Sequence, residues 1–336
     1  MTANVIEVRG LTKHFAAGGS VRRSRVHAVD DVSFALEPGR ITALVGESGS
    51  GKSTVARLLV RLYEPTAGSV LFDGRDVARE SGKRAVLAYR AQVQMIFQDP
   101  FGSLNPVKPV RHHIERPLRI HRLLRRGEIE PRVLQLLELV GLVPPGQIAD
   151  KYPHELSGGQ RQRVAIARAL AVEPRVVVAD EPISMLDVSI RIGILNLMAD
   201  LKRELGVAFL YVTHDLASAR YIADDLLVMY AGQIVEQGPV DAILEQPLHP
   251  YTRLLLSSVP DAHIAERERI EIHRGGQTAA VDPAPGCRFV DRCPLAIDVC
   301  RSVTPSLVEA RPHQAARCHV TAPADSREEP HVESIR

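Results

Sequence analysis

Residues 46–54 read GESGSGKST, a run of small residues that closes on a lysine and two hydroxyls. The spacing is G-x-x-x-x-G-K-[ST], which residue frequencies would produce by chance in about 1% of chains this long. An apolar segment, ITALV, precedes it and a helical pattern follows, the context such a loop requires. Gly46, Ser48, Gly49, Ser50 and Gly51 let the backbone bend so that its N–H groups and the helix N-terminus face one spot. A polyphosphate can be held there. Lys52 is expected to neutralise the β- and γ-phosphates, and Ser53, followed by Thr54, to ligate Mg²⁺. The loop therefore predicts a site for ATP or another nucleoside triphosphate.

Four further positions fit that chemistry. RVVVAD (175–180) is a buried strand whose last residue, Asp180, emerges at the carboxyl end, where ligands of open α/β sheets collect and a carboxylate can hold Mg²⁺. Glu181 follows, placed to act as a general base on an attacking water. His214 ends VAFLYVT in the sequence VTHD, where it can hydrogen-bond a γ-phosphate. Gln98, after the apolar MIF, can reach the metal or the water. A second glycine pair stands at 156–170, LSGGQRQRVAIARAL. Ser157, Gly158, Gly159 and Gln160 open a helix and bare its N–H groups, which makes a second anion site. Ser157 as an ordinary N-cap explains the same residues. The helical insertion separates this site from the chain's own loop, so two chains placed head to tail would bring it onto the other's γ-phosphate.

The elements that must position these residues follow from periodicity. VIEV, VHAVDDVSFAL, ITALV and SVLFDG read as strands, and 54–62 as a helix. Helix 159–171, strand 175–180, helix 188–205, strand 207–213 and helix 215–223 then alternate. This alternation implies an α/β fold with a parallel sheet covered on both faces. Two short strands, LLVMY and QIVEQG, close the domain near residue 238. Between Gln98 and Glu155 the pattern is helical, as in VLQLLELVGL, and reads as an insertion into the α/β domain. No internal repeat is evident.

The 336 residues hold 42 basic and 40 acidic side chains, a net charge of +2, which gives no support to a nucleic-acid partner. No apolar run is long enough to span a bilayer, and MTANVIEVRG lacks the pattern of a secretory signal. A cytoplasmic chain is expected, held at a membrane only through another protein. The four cysteines, Cys287, Cys293, Cys300 and Cys318, all fall in the last 50 positions. Random scatter would do this about once in 2000, so they read as a set.

LSGGQ with RQRVAIARAL resembles the signature of ABC-type ATPases, and the companion motifs stand in order: GESGSGKST, IFQDP, VVVADEP, SMLD and VTHD. The resemblance covers residues 5 to about 255. It implies a P-loop ABC ATPase domain of class α/β with a mixed sheet, a helical subdomain at about 99–170 and ATP hydrolysis with Mg²⁺. It also implies roles: Glu181 as catalytic base, His214 as γ-phosphate sensor, and Asp187 as the residue that crosses the dimer interface. Gln98 would link Mg²⁺, held by Ser53 and Asp180, to the helical subdomain. Phe15 in LTKHF falls where the family places an aromatic that stacks on adenine. Met185 departs from the small residue usual in its loop.

FQDPFGSLNP, HPYTRLLLSSVP (249–260) and the cysteine tail resemble the ATPase subunits of oligopeptide and dipeptide importers, whose relatives import nickel and oligosaccharides. The resemblance implies two permease subunits, a second ATPase subunit, an external solute-binding protein and a peripheral place on the cytoplasmic face of the membrane. The cysteine spacing C-x5-C-x6-C-x17-C is associated in that family with a [4Fe–4S] cluster; zinc or reduced thiols stay open. The expected division is 1–255 for the nucleotide-binding domain, 256–320 for the cysteine extension and 321–336 for a disordered tail. The rival reading is an ABC ATPase that transports nothing.

Overall fold

The computed structural model describes residues 4–17, 24–257 and 280–321. Of the expected disordered tail 321–336 all but Thr321, and the charged segment 258–279, lie outside the described residues.

Two sheets carry the chain. The first contains β1 (Ile6–Ala17), β2 (Ser24–Leu36), β4 (Ala67–Phe72) and β5 (Arg75–Asp76), in the order β2-β1-β4-β5 with antiparallel pairing throughout. The second holds β3 (Ile41–Val45), β6 (Val93–Ile96), β7 (Val176–Asp180), β8 (Ala208–Thr213), β9 (Asp225–Tyr230), β10 (Gln233–Pro239), β11 (Val308–Arg311) and β12 (Gln314–Ala316). Its order is β11-β12-β10-β9-β3-β8-β7-β6.

Every residue of β3, β7 and β8 is buried. That is the behaviour of strands covered on both faces, and it explains their unbroken apolar runs. The parallel sheet expected from alternation is found only across β6, β7, β8, β3 and β9. Beyond β9 the sheet turns antiparallel, as the mixed sheet implied by the family resemblance requires. The cause is local: Ala231 and Gly232, both at positive φ, form a two-residue turn from β9 to β10. A connection that short permits only an antiparallel hairpin.

The helices are α1 (Lys52–Leu59), α2 (Lys83–Gln92), α3 (Pro100–Ser103), α4 (Val110–His121), α5 (Ile129–Leu139), α6 (Pro145–Asp150), α7 (Gly158–Leu170), α8 (Val188–Leu205), α9 (Leu216–Ile222), α10 (Val240–Glu245) and α11 (Pro250–Ser257). The insertion between β6 and β7 is helical, as its 3.6-residue period predicts. Ile114 and Leu118 of α4, Val133, Leu136 and Leu137 of α5, and Val164 of α7 are buried in one apolar cluster. Helix α1 starts two residues before the expected Thr54, because Gly51 caps it at φ 109°. The cysteine extension packs on the same core. Phe289 is buried there, and β12 pairs with the edge of β10, Glu236 opposite Ala316.

Candidate active site

The phosphate-type loop leaves the buried end of β3 and enters α1. A Cβ at Gly46 would lie 2.1 Å from the Met229 carbonyl oxygen, and one at Gly51 2.0 Å from the Ala28 carbonyl oxygen. Only glycine fits either position, so the loop's glycines are fixed by the walls around it as well as by its ligand. A cavity of about 670 Å³ opens above the loop. Residues Gly46–Thr54, apart from the fully buried Ser50, line it, with Gln98, Glu181 and His214 facing them.

Lys52 is buried and donates from Nζ to the carbonyl oxygens of Gly46 at 2.8 Å and Glu47 at 2.9 Å. Burial lowers its pKa, against the pull of the Glu181, Asp180 and Glu47 carboxylates. Asp180 is 3% exposed and accepts from the Ser53 hydroxyl at 3.0 Å. Burial raises its carboxyl above the usual range, although that hydrogen bond lowers it. A buried carboxylate with a hydroxyl in contact and a second acid next in sequence is a donor set suited to a divalent cation. The residues present therefore fit Mg²⁺.

Glu181 occupies the left-handed region, φ 46°, which costs a non-glycine residue strain. Its N–H is held by the Val212 carbonyl at 2.9 Å. The turn aims its carboxylate into the cavity, where Gln98 Nε2 donates to Oε2 at 3.0 Å and His214 Nδ1 lies 3.1 Å from Oε1. Parallel pairing explains the meeting: Asp180 stands opposite Val212, so the residues just past the two strand ends are neighbours. Gln98 comes two residues after β6, which pairs with β7 from the other side.

The second glycine pair lies elsewhere. None of Ser157, Gly158, Gly159, Gln160 or Asp187 lines this cavity. Ser157 caps α7 reciprocally: its hydroxyl accepts from the Gln160 N–H at 3.2 Å, and Gln160 Oε1 accepts from the Ser157 N–H at 3.0 Å. Asp187 is the N-cap of α8. The two stretches share one surface, since a Cβ on Gly159 would meet Ile190 at 2.6 Å. Phe15 is not brought into the cavity. It sits on β1 opposite Val26, which does line it, and its ring meets Tyr63 edge-on at 5.5 Å.

The four cysteines are free thiols, with Cys300 and Cys318 buried. Burial pushes Cys287 up to about 11, and the other three thiols add to the rise, so the four stand within electrostatic reach of one another. Among the described residues the three-ligand cluster within 4.8 Å is His14, His27 and Asp30, and no three of the sulfurs are that close.

Sequence reasoning missed four residues that hold the loop. Tyr251 Oη accepts the Glu47 N–H at 2.8 Å, Arg292 binds the Glu47 carboxylate, and Arg288 and Gly232 brace the opposite side. Tyr251 belongs to HPYTRLLLSSVP, so a signal existed; the arginines carried none.

A family model described as ABC transporter matches residues 29–184, and one described as Oligopeptide/dipeptide transporter, C-terminal region, matches 235–300. The chain is 44% identical over 328 residues to a probable peptide ABC transporter ATP-binding protein of Sinorhizobium fredii, covering 96% of this chain and 92% of the relative. It is 42% identical to an oligopeptide transport ATP-binding protein of Bacillus subtilis, covering 94% and 97%. Among solved structures, an ATP-binding cassette in a dimeric post-hydrolysis state with ADP and Pi matches with TM-score 0.62 at 29% identity, over 70% of this chain and 98% of that one. The cbiO1 protein of Clostridium perfringens, part of an ABC transporter complex, matches with TM-score 0.62 at 28% identity, over 72% and 91%.

Proposed function

The chain belongs to the ABC transporter family, among the ATP-hydrolysing subunits that power peptide importers, and from that premise we propose how its residues divide the work. The observation that carries the reading is the Glu181 carboxylate, held on both oxygens by Gln98 and His214 and facing the loop around Lys52.

Lys52 turns from the Gly46 and Glu47 carbonyls to the β- and γ-phosphates, and the N–H groups of 46–54 hold the remaining oxygens. Ser53, with Asp180 and Gln98 in reach, would hold Mg²⁺, which would supply positive charge beside the phosphates. Glu181 takes the proton of the attacking water, and His214, hydrogen-bonded to it, contacts the γ-phosphate. Ser157, Gly158, Gly159, Gln160 and Asp187 serve the site of a second ATPase subunit, which their distance from this chain's own cavity supports. Phe15 stands beside adenine through Val26, its cross-strand neighbour on the cavity wall.

Two membrane-spanning permeases and a second ATPase subunit complete the complex, with this chain on the cytoplasmic face of the membrane and a solute-binding protein outside. No helix among the described residues is long and apolar enough to cross a bilayer, in keeping with a peripheral subunit. A groove of about 750 Å³ runs beside α4 and β6, with Leu62, Phe97 and Ile120 exposed along it. It suits an apolar helix of the permease. The relatives' names favour peptides over nickel or oligosaccharide as cargo.

For the cysteines we favour a [4Fe–4S] cluster over zinc. Tetrahedral zinc thiolates need sulfurs about 3.8 Å apart, closer than any three stand here. Gentle extraction of native membranes with the tagged chain tests the importer reading. Two polytopic permeases should co-purify, and recovery with ribosomes or DNA alone would overturn it.

A further inference from the structure

Two arginines of the C-terminal extension grip the phosphate loop from opposite sides. Arg292 binds Glu47 with both arms of its fork, Nη1 to Oε2 at 2.9 Å and Nη2 to Oε1 at 2.9 Å. The arginine side chain is 13% exposed, and its guanidinium lies 5.7 Å from the ring centres of both Tyr230 and Phe289. Those rings and Tyr251 pack on one another, and Tyr251 Oη takes the Glu47 N–H. Glu47 is thus fixed through its side chain and its backbone together.

The other side is held through the hairpin turn between β9 and β10. Arg288 donates to the Ala231 carbonyl and to Asp30. Asp30 N–H bonds Gly232 O at 2.8 Å, and Gly232 N–H bonds Ser50 O at 2.9 Å. Arg288 lies two residues before a single 3₁₀ turn, Val290–Arg292, and Arg292 ends it. Cys287 and Cys293 bracket that turn, and the Cys287 N–H bonds the Cys300 carbonyl at 2.8 Å. The extension therefore reaches the loop at Glu47 directly and at Ser50 through Gly232.

We propose that Arg292, acting through Glu47, and Arg288, acting through the Ala231–Gly232 turn, are positioning residues for ATP: the cysteine extension sets the shape of the phosphate loop. A bidentate arginine–carboxylate pair fixes orientation as well as distance, and loop N–H groups bind phosphate only when they converge. The inference rests on the ATP site proposed above.

Charge alone and positioning predict different signs. Glu47 is an acid beside a bound polyanion, so removing its charge should tighten binding if only electrostatics matter. Removing the Arg292 charge should weaken it. If the pair positions the loop, both losses weaken binding. The test uses the full-length chain and measures equilibrium binding of a fluorescent ATP analogue with Mg²⁺, for wild type, Glu47→Gln, Arg292→Met, Arg292→Lys and the double variant Glu47→Gln/Arg292→Met. Melting without nucleotide is followed in parallel. Glu47→Gln and Arg292→Met should each lose about tenfold in affinity, and the double variant no more than either single change. Arg292→Lys, which keeps the charge and loses the fork, should fall between them and wild type.

Opposite shifts for Glu47→Gln and Arg292→Met would reduce the pair to electrostatics. A lower melting point with unchanged affinity would reduce it to scaffolding. Either outcome overturns the proposal. Should Arg292→Met fail to fold, Glu47→Gln, which lies far from the cysteines in sequence, decides the sign alone. Failure of the wild-type chain to bind the analogue would instead remove the ATP site itself.

Discussion

His214 Nδ1 and Glu181 Oε1 lie 3.1 Å apart, joined across the ends of two adjacent parallel strands. The histidine side chain is 59% exposed toward the cavity, whereas the glutamate side chain is 18% exposed. Glu181, the proposed base, is thus the more sheltered of the two, and His214, the proposed γ-phosphate contact, the more exposed.

That arrangement makes Glu181 and His214 separable by kinetics. Glu181→Gln should bind ATP near normally and lose hydrolysis by about 10²–10³-fold, read as phosphate release against nucleotide binding. His214→Ala should lower kcat by about tenfold or more with little change in KM, because the carboxylate keeps its Gln98 hydrogen bond. Near-normal turnover in Glu181→Gln would take the base role from it.

Asp180 should behave as a site bought at the expense of stability. Its folded pKa is raised by burial, so the folded chain holds that proton more tightly than the unfolded one. Its contribution is therefore most favourable in acid and is lost as pH rises from about 4 through the folded pKa. Asp180→Asn keeps a partner for Ser53 and removes the buried charge. The nucleotide-free variant should melt about 2–3 °C above wild type at neutral pH, with the gap closing in acid, while Mg²⁺-dependent hydrolysis disappears. A variant no more stable than wild type at neutral pH would refute the burial argument.

His249 sets an acid limit on the fold. Burial holds its pKa down to about 3, and Nδ1 accepts the Tyr251 N–H at 3.1 Å. The unfolded ring takes up a proton near pH 6.5 and the folded ring does not. Stability is lost as pH falls from about 6.5 toward 3, by at most about 1.4 kcal/mol per pH unit. His249→Asn should show a flatter loss across that window in denaturant titrations; an unchanged slope would point to other groups.

Much of the site was legible because its parts are local. The loop 46–54, the strand ending at Asp180 and the helix opened by Ser157 are each written in fewer than twenty consecutive residues, with period and punctuation intact. The antiparallel end of the sheet was readable in principle from the two residues between Tyr230 and Gln233, but helix alternation outweighed them. Helix α2 was missed because its run, KRAVLAYRAQ, buries only Tyr89 and Ala91 and shows little apolar stripe. Strands β11 and β12 are three or four residues each and exist only because the β10 edge was available. The pairing of Glu47 with Arg292 has no sequence signature, since nothing in either residue's neighbourhood refers to the other.

That pairing spans 245 positions, and this gives the order of synthesis a meaning. The loop leaves the ribosome first, and the residue that braces it is made 245 positions later. Long-range contacts of this kind close late in folding, and chains fold from the N-terminus as they emerge. A growing or prematurely ended polypeptide would carry every cassette motif and still lack its brace. A chain stopped before Arg292 would then bind ATP more weakly, by the same factor of about ten expected of Arg292→Met.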